Sequence, residues 1–200
     1  MQKFLDWLER VLTPLAKVIG ENKYLVAIRD GFLLSTPLLI VGSVFLLIAN
    51  FPLPQWDTWM SHLLGKDWAT MMSVPASASF DVMTILAVVG IAYSLGKQFN
   101  VDAMQAGIIA LVSFFIVTPY QTLFTPENSS KVYEVTSLPL KWMGSSGLFL
   151  GMIVALIATR LFVAIVRKGW TIKMPEGVPP TVVKSFEALI PSFLVRSEER

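Results

Sequence analysis

The chain has no cysteine and only one histidine, His62, among 200 residues. Disulfides, thiolate metal sites, Fe–S clusters and cysteine nucleophiles are therefore excluded. A lone histidine cannot build a metal site without cysteine partners, and no cofactor is expected. Charge is also scarce, at 15% of residues against roughly 25% in a soluble domain. The net charge of +2 is too small to suggest a nucleic-acid partner, and the basic residues cluster in loops rather than along one stripe. A cleavable signal is not expected either. The first apolar run begins after thirty residues that carry nine charges, too far in for a signal-peptide core.

The apolar runs are abundant. Hydrophobic residues make up 54% of the chain and mean hydropathy is +0.62. No charge occurs between Asp30 and Asp57, and twelve of the twenty residues from Gly31 to Asn50 are Leu, Ile, Val or Phe. Twenty helical residues reach about 30 Å, the hydrocarbon thickness of a bilayer. Those twelve side chains favour insertion by about 5 kcal/mol with no charge opposing them. The expected class is an all-α membrane protein. It should have about four full transmembrane helices, an N-terminal interfacial amphipathic helix and an incomplete fifth helix.

The spans fall near 31–50, 75–96, 103–124 and 142–166. The second is the shortest between charges, from Asp81 to Lys97, but the uncharged stretch from Trp68 to Phe80 lets it start earlier. Asp81 is an ionisable group beside a membrane helix; it reads more readily as an interfacial carboxylate capping the helix start. Arg160 interrupts the fourth run and could snorkel along its own stem. Counting Lys and Arg in alternate loops gives eleven, counting from residues 1–30, against three (Lys66, Lys131, Lys141) on the opposite side. The excess predicts a cytoplasmic N-terminus.

Residues 1–30 form the cytoplasmic lead-in. Phe4, Leu8, Val11, Leu12, Leu15 and Ile19 recur at helical spacing opposite Lys3, Asp6, Glu9 and Lys17. That pattern suits either the membrane interface or packing on a partner domain. Residues 171–195 read as a Pro-rich cytoplasmic loop and the start of another helix. Lys184 and Glu187 lie inside Val178–Val195, which would not insert reliably without neighbours.

Gly144, Gly147 and Gly151 align small residues on the fourth span, and Gly107 does so on the third, which makes them candidates for close packing or dimerisation. His62 lies among Trp56, Trp59 and Trp68, an interfacial aromatic setting. Asn128-Ser129-Ser130 fits a glycosylation acceptor, a frequent chance match. Three prolines and a glycine within Met174–Pro180 force an extended turn.

Several of these segments together resemble the N-terminal half of a permease subunit, EIIC, of the bacterial phosphotransferase system. The likeness is to the lactose/cellobiose/diacetylchitobiose branch. It rests on Glu21-Asn-Lys-Tyr-Leu-Val-Ala-Ile-Arg-Asp-Gly-Phe, on Pro37-Leu-Leu-Ile-Val-Gly-Ser-Val-Phe and on Phe80-Asp81 with Ile91-Ala-Tyr-Ser-Leu. Most specific is Met174-Pro-Glu-Gly-Val-Pro-Pro with Lys184-Ser-Phe and Leu189-Ile-Pro. The resemblance implies a protein about twice as long, with ten spans, in which the first five helices form a dimer-facing scaffold and the second half carries the sugar. It further implies EIIB and EIIA partners and phosphorylation of a β-linked disaccharide by EIIB. The sugar-contacting residues of such permeases belong to the second half, so no catalytic or substrate-binding position is assigned, and this chain is expected to be inactive alone. Residues 196–200, Arg-Ser-Glu-Glu-Arg, stand where the family would continue an apolar helix; a truncated gene product or a frameshift would account for them. The alternatives from the residues themselves are a small membrane scaffold or assembly protein, or a small channel.

Overall fold

The computed structural model of the protein describes residues 10, 12, 13, 17, 20–125 and 131–170. The Asn128 acceptor, the Pro-rich stretch and the charged tail lie outside these residues, as does most of the N-terminal amphipathic segment.

Helix α1 (Lys23–Ala49) begins at Asn22, whose side-chain oxygen accepts from the N–H groups of Tyr24 (2.9 Å) and Leu25 (3.3 Å). That cap satisfies donors a helix start leaves unpaired. The helix is 27 residues long, about 40 Å, and it accommodates Pro37, as membrane helices can. After the short α2 (Trp56–Leu64) come α3 (Trp68–Phe80) and α4 (Met83–Gln98), separated only by Asp81 and Val82. The break does not turn the chain. Gly31 on α1 approaches Ile91 on α4, and Gly42 on α1 approaches Ser79 on α3. Moving eleven residues along α1 thus moves twelve back along α3 and α4, so the two run antiparallel to α1 as one rod.

Asn100, at φ 57°, and the Asp102 cap turn the chain into α5 (Ala103–Val117). Asparagine tolerates this left-handed conformation better than most side chains. Gln121–Phe124 (β1) and Tyr133–Thr136 (β2) then form an antiparallel ribbon, with Gln121 opposite Thr136. The ribbon is the one departure from helix among the described elements, and it ends the third span at Val117 rather than near 124. Pro119 lies between helix and strand. A short helix, α6 (Leu140–Met143), and a 3₁₀ turn at Ser145–Gly147 lead into α7 (Leu148–Arg167).

Helix α4 lies at the centre, with α1, α5 and α7 packed around it. Val88, Ile91, Leu95, Phe114 and Phe162 are fully or almost fully buried there. Three helical stretches are long and apolar enough to cross a bilayer: Lys23–Ala49, Trp68–Gln98 and Ser145–Arg167; the shorter Ala103–Val117 is also apolar. Leu33, Leu38, Val41 and Leu47 of α1 face outward. An apolar exterior of this kind suits lipid or another membrane protein.

Candidate functional site

The break between α3 and α4 borders an open cleft of about 380 Å³, lined by Phe80, Asp81, Met83, Leu140, Lys141, Gly144, Ser145 and Ser146. Three features of the sequence build it. The α3 helix ends at Asp81, whose N–H donates to the Ser77 carbonyl at 2.8 Å. Gly144 brings its backbone close to Phe80 and Asp81; a Cβ there would lie 3.4 Å from the Phe80 carbonyl oxygen. The buried Thr84 hydroxyl then donates to the Gly144 carbonyl at 2.6 Å, fastening the irregular segment to α4. In a low-dielectric interior that bond satisfies a carbonyl that the interrupted helix leaves free.

Asp81 is half-buried, and the register of the rod brings it level with Ile40, in the middle of the uncharged run of α1. The 13 residues of α3, uncharged after Trp68, continue the same rod beyond it. Asp81 stands beside the helix break in a cleft that also holds Lys141, Ser145 and Ser146. The cleft offers one carboxylate, one ammonium and two hydroxyls, a set able to hydrogen-bond a polar ligand. No group of three or more His, Asp and Glu among the described residues could hold a metal ion.

The candidate glycines all meet their own chain. A Cβ on Gly151 would come within 2.6 Å of Thr84 Cγ2 and 2.8 Å of Val88 Cγ2. On Gly107 it would meet Val89 at 3.3 Å, and on Gly147 it would overlap the Trp142 carbonyl. The closest helix approach involves glycines the sequence did not single out. Gly31 and Gly90 put α1 and α4 in backbone contact, with a Gly90 Cβ falling 2.6 Å from the Gly31 carbonyl oxygen. Each helix supplies one glycine there, so no GxxxG spacing marked it.

His62 is exposed on α2. Among the surrounding tryptophans, Trp68 donates to Asp57 at 3.0 Å and Trp56 to the Ile48 carbonyl at 2.8 Å. Arg160 reaches along α7 to the ring of Phe99, 5.2 Å from its centroid. Two buried polar atoms, Gln98 Nε2 and Thr159 Oγ1, have no partner among the described residues.

The family model for "Phosphotransferase system, EIIC" matches residues 29–196. The cellobiose-specific EIIC component of Geobacillus stearothermophilus is 43% identical over 98% of this chain and 44% of its own length. The lichenan permease IIC component of Bacillus subtilis is 42% identical over 98% of this chain and 43% of its own length. Among solved structures, the transporter ChbC, the IIC component from the N,N'-diacetylchitobiose-specific phosphotransferase system, superposes with a TM-score of 0.89. It is 42% identical, and the match covers 96% of this chain and 45% of ChbC. The chain thus spans under half the length of these relatives.

Proposed function

The chain belongs to the phosphotransferase system EIIC family, and from that membership we propose that it forms the scaffold half of a permease for a β-linked disaccharide. The observation that carries this reading is the superposition of nearly the whole chain on part of ChbC. The sugar class follows the relatives, which are named for cellobiose, lichenan and diacetylchitobiose. Residues 31–170 make up the membrane scaffold, residues 1–30 a cytoplasmic lead-in and residues 171–195 the passage toward the next span. EIIB phosphorylates the sugar as it emerges, with EIIA supplying EIIB, and the complete permease works as a homodimer. A pore through this half is disfavoured, because α4 fills the centre with fully buried Val88, Ile91 and Leu95.

A chimera tests the function. Residues 1–195 of this chain, exchanged for the matching stretch of the Geobacillus relative, should support cellobiose uptake with phosphorylation when its EIIB is present. A chimera that inserts and folds but takes up no cellobiose would overturn the reading.

The N-terminus lies in the cytoplasm, on the strength of the loop count of eleven basic residues against three. Reporter fusions after residues 62, 99, 130 and 170 should read outside, inside, outside and inside. A cytoplasmic signal at residue 130 would contradict this orientation.

A further inference from the structure

We propose that Lys23, Arg160 and Arg167, gathered around the ring of Phe99, bind the phosphate of an anionic phospholipid headgroup. Lys23 opens α1, and Arg160 and Arg167 lie two turns apart on α7. Lys23 Nζ lies 5.0 Å from the ring centroid, and the guanidinium carbons of Arg160 and Arg167 lie 5.2 and 5.3 Å from it. Tyr24 meets the same ring edge-on at 6.2 Å. Lys97 and Lys168 are exposed in the adjoining turns.

Two local attractions hold the cations there. The ring face draws each one, and the end of α4 presents carbonyls. Lys23 donates to the Gln98 carbonyl at 3.5 Å and Arg167 to the Phe99 carbonyl at 3.4 Å. A helix C-terminus, however, amounts to about half a negative charge. Three full positive charges converge on it. The Lys17–Glu21 and Arg29–Asp30 salt bridges do not involve the three. Three cations against that partial charge leave an excess that an anion would neutralise.

Position selects the anion. Arg160 lies two turns inside the end of α7, about 10 Å below Arg167 along the helix. A charge at that depth must reach outward to the headgroup zone. The three basic groups thus occupy a band about as thick as a headgroup layer, where a lipid phosphate resides and clustered Lys and Arg favour anionic lipids. Guanidinium forks suit phosphate oxygens, and Lys23 adds a point charge.

The proposal depends on membrane insertion but on neither orientation nor transport. It is tested with the purified full chain in mild detergent, by native mass spectrometry after adding phosphatidylglycerol or phosphatidylcholine. The wild-type chain should retain phosphatidylglycerol in preference. Arg160→Gln with Arg167→Gln should weaken that retention about thirtyfold, at roughly fivefold for each basic residue removed. Arg160→Lys with Arg167→Lys should keep most of it, and Lys66→Gln, in a distant loop, should change nothing. If the double glutamine variant does not fold, the exposed Lys23→Gln alone carries the test, with a loss of about fivefold. Equal retention of the two lipids, or unchanged retention in Lys23→Gln and in the double variant, would overturn the site. Displacement of the lipid by millimolar inorganic phosphate would assign the cluster to free phosphate and refute the lipid.

Discussion

Replacing Gly31 by leucine should lower the stability of the chain sharply. A Cβ at residue 31 would overlap the backbone nitrogen of Ile91 and lie 2.6 Å from its Cα, and Ile91 is fully buried. Where the obstacle is the end of a side chain, overpacking costs about 1–3 kcal/mol. Here it is the backbone of the central helix, which cannot rotate aside, and leucine adds three further carbons. The expected loss is about 3 kcal/mol or more, against a native margin of roughly 5–15 kcal/mol. Gly151→Leu should cost less, because the atoms it meets are the methyl groups of Thr84 and Val88. Gly20→Ala, with no described atom within 4 Å, should be neutral. Thermal unfolding in detergent, followed by size-exclusion fluorescence, would rank the three. Intact Gly31→Leu monomer at wild-type yield would disprove the backbone contact between α1 and α4.

That contact was not legible in the sequence, whereas the membrane class was. Insertion depends on summed apolar length, which Gly31–Asn50 displays without interruption. Helix crossing depends on which small residues meet across a long sequence separation. Gly144, Gly147 and Gly151 were visible because they recur at helical spacing within one apolar stretch of sequence. Gly31 and Gly90 belong to different helices and form a pair only after folding. The ribbon of Gln121–Phe124 and Tyr133–Thr136 left a fainter signal. Tyr133-Glu-Val-Thr alternates as a strand should, but the stretch is short and polar, and it reads equally as a loop. The uncharged stretch from Trp68 to Phe80 already let the second span start before Asp81, and α3 continues the rod in that direction. The cations around Phe99 are drawn from residues 23, 160 and 167, a convergence no local pattern encodes. Arg160 alone announced itself, by interrupting an apolar helix.

The second large effect is an absence: purified chain should not bind cellobiose or diacetylchitobiose more tightly than millimolar. A disaccharide entering the bilayer must replace the water bound to each of its hydroxyls, and each one left unpaired costs about 1–3 kcal/mol. Among the described residues, the buried polar side chains include the hydroxyls of Ser35, Thr84, Ser94, Ser113, Thr118 and Thr159. Several are already engaged: Thr84 with the Gly144 carbonyl and Thr118 with the Phe114 carbonyl at 2.8 Å. The Asp81 cleft adds one carboxylate and Lys141, but it is open, and solvent competes for the same groups. Two or three unpaired hydroxyls would cancel the roughly 4 kcal/mol that millimolar affinity represents. Isothermal titration of the chain in detergent, beside the full-length Geobacillus relative as positive control, separates the cases. Micromolar binding to this chain alone would place a sugar site in the scaffold half, and Asp81→Asn would then show whether the cleft holds it.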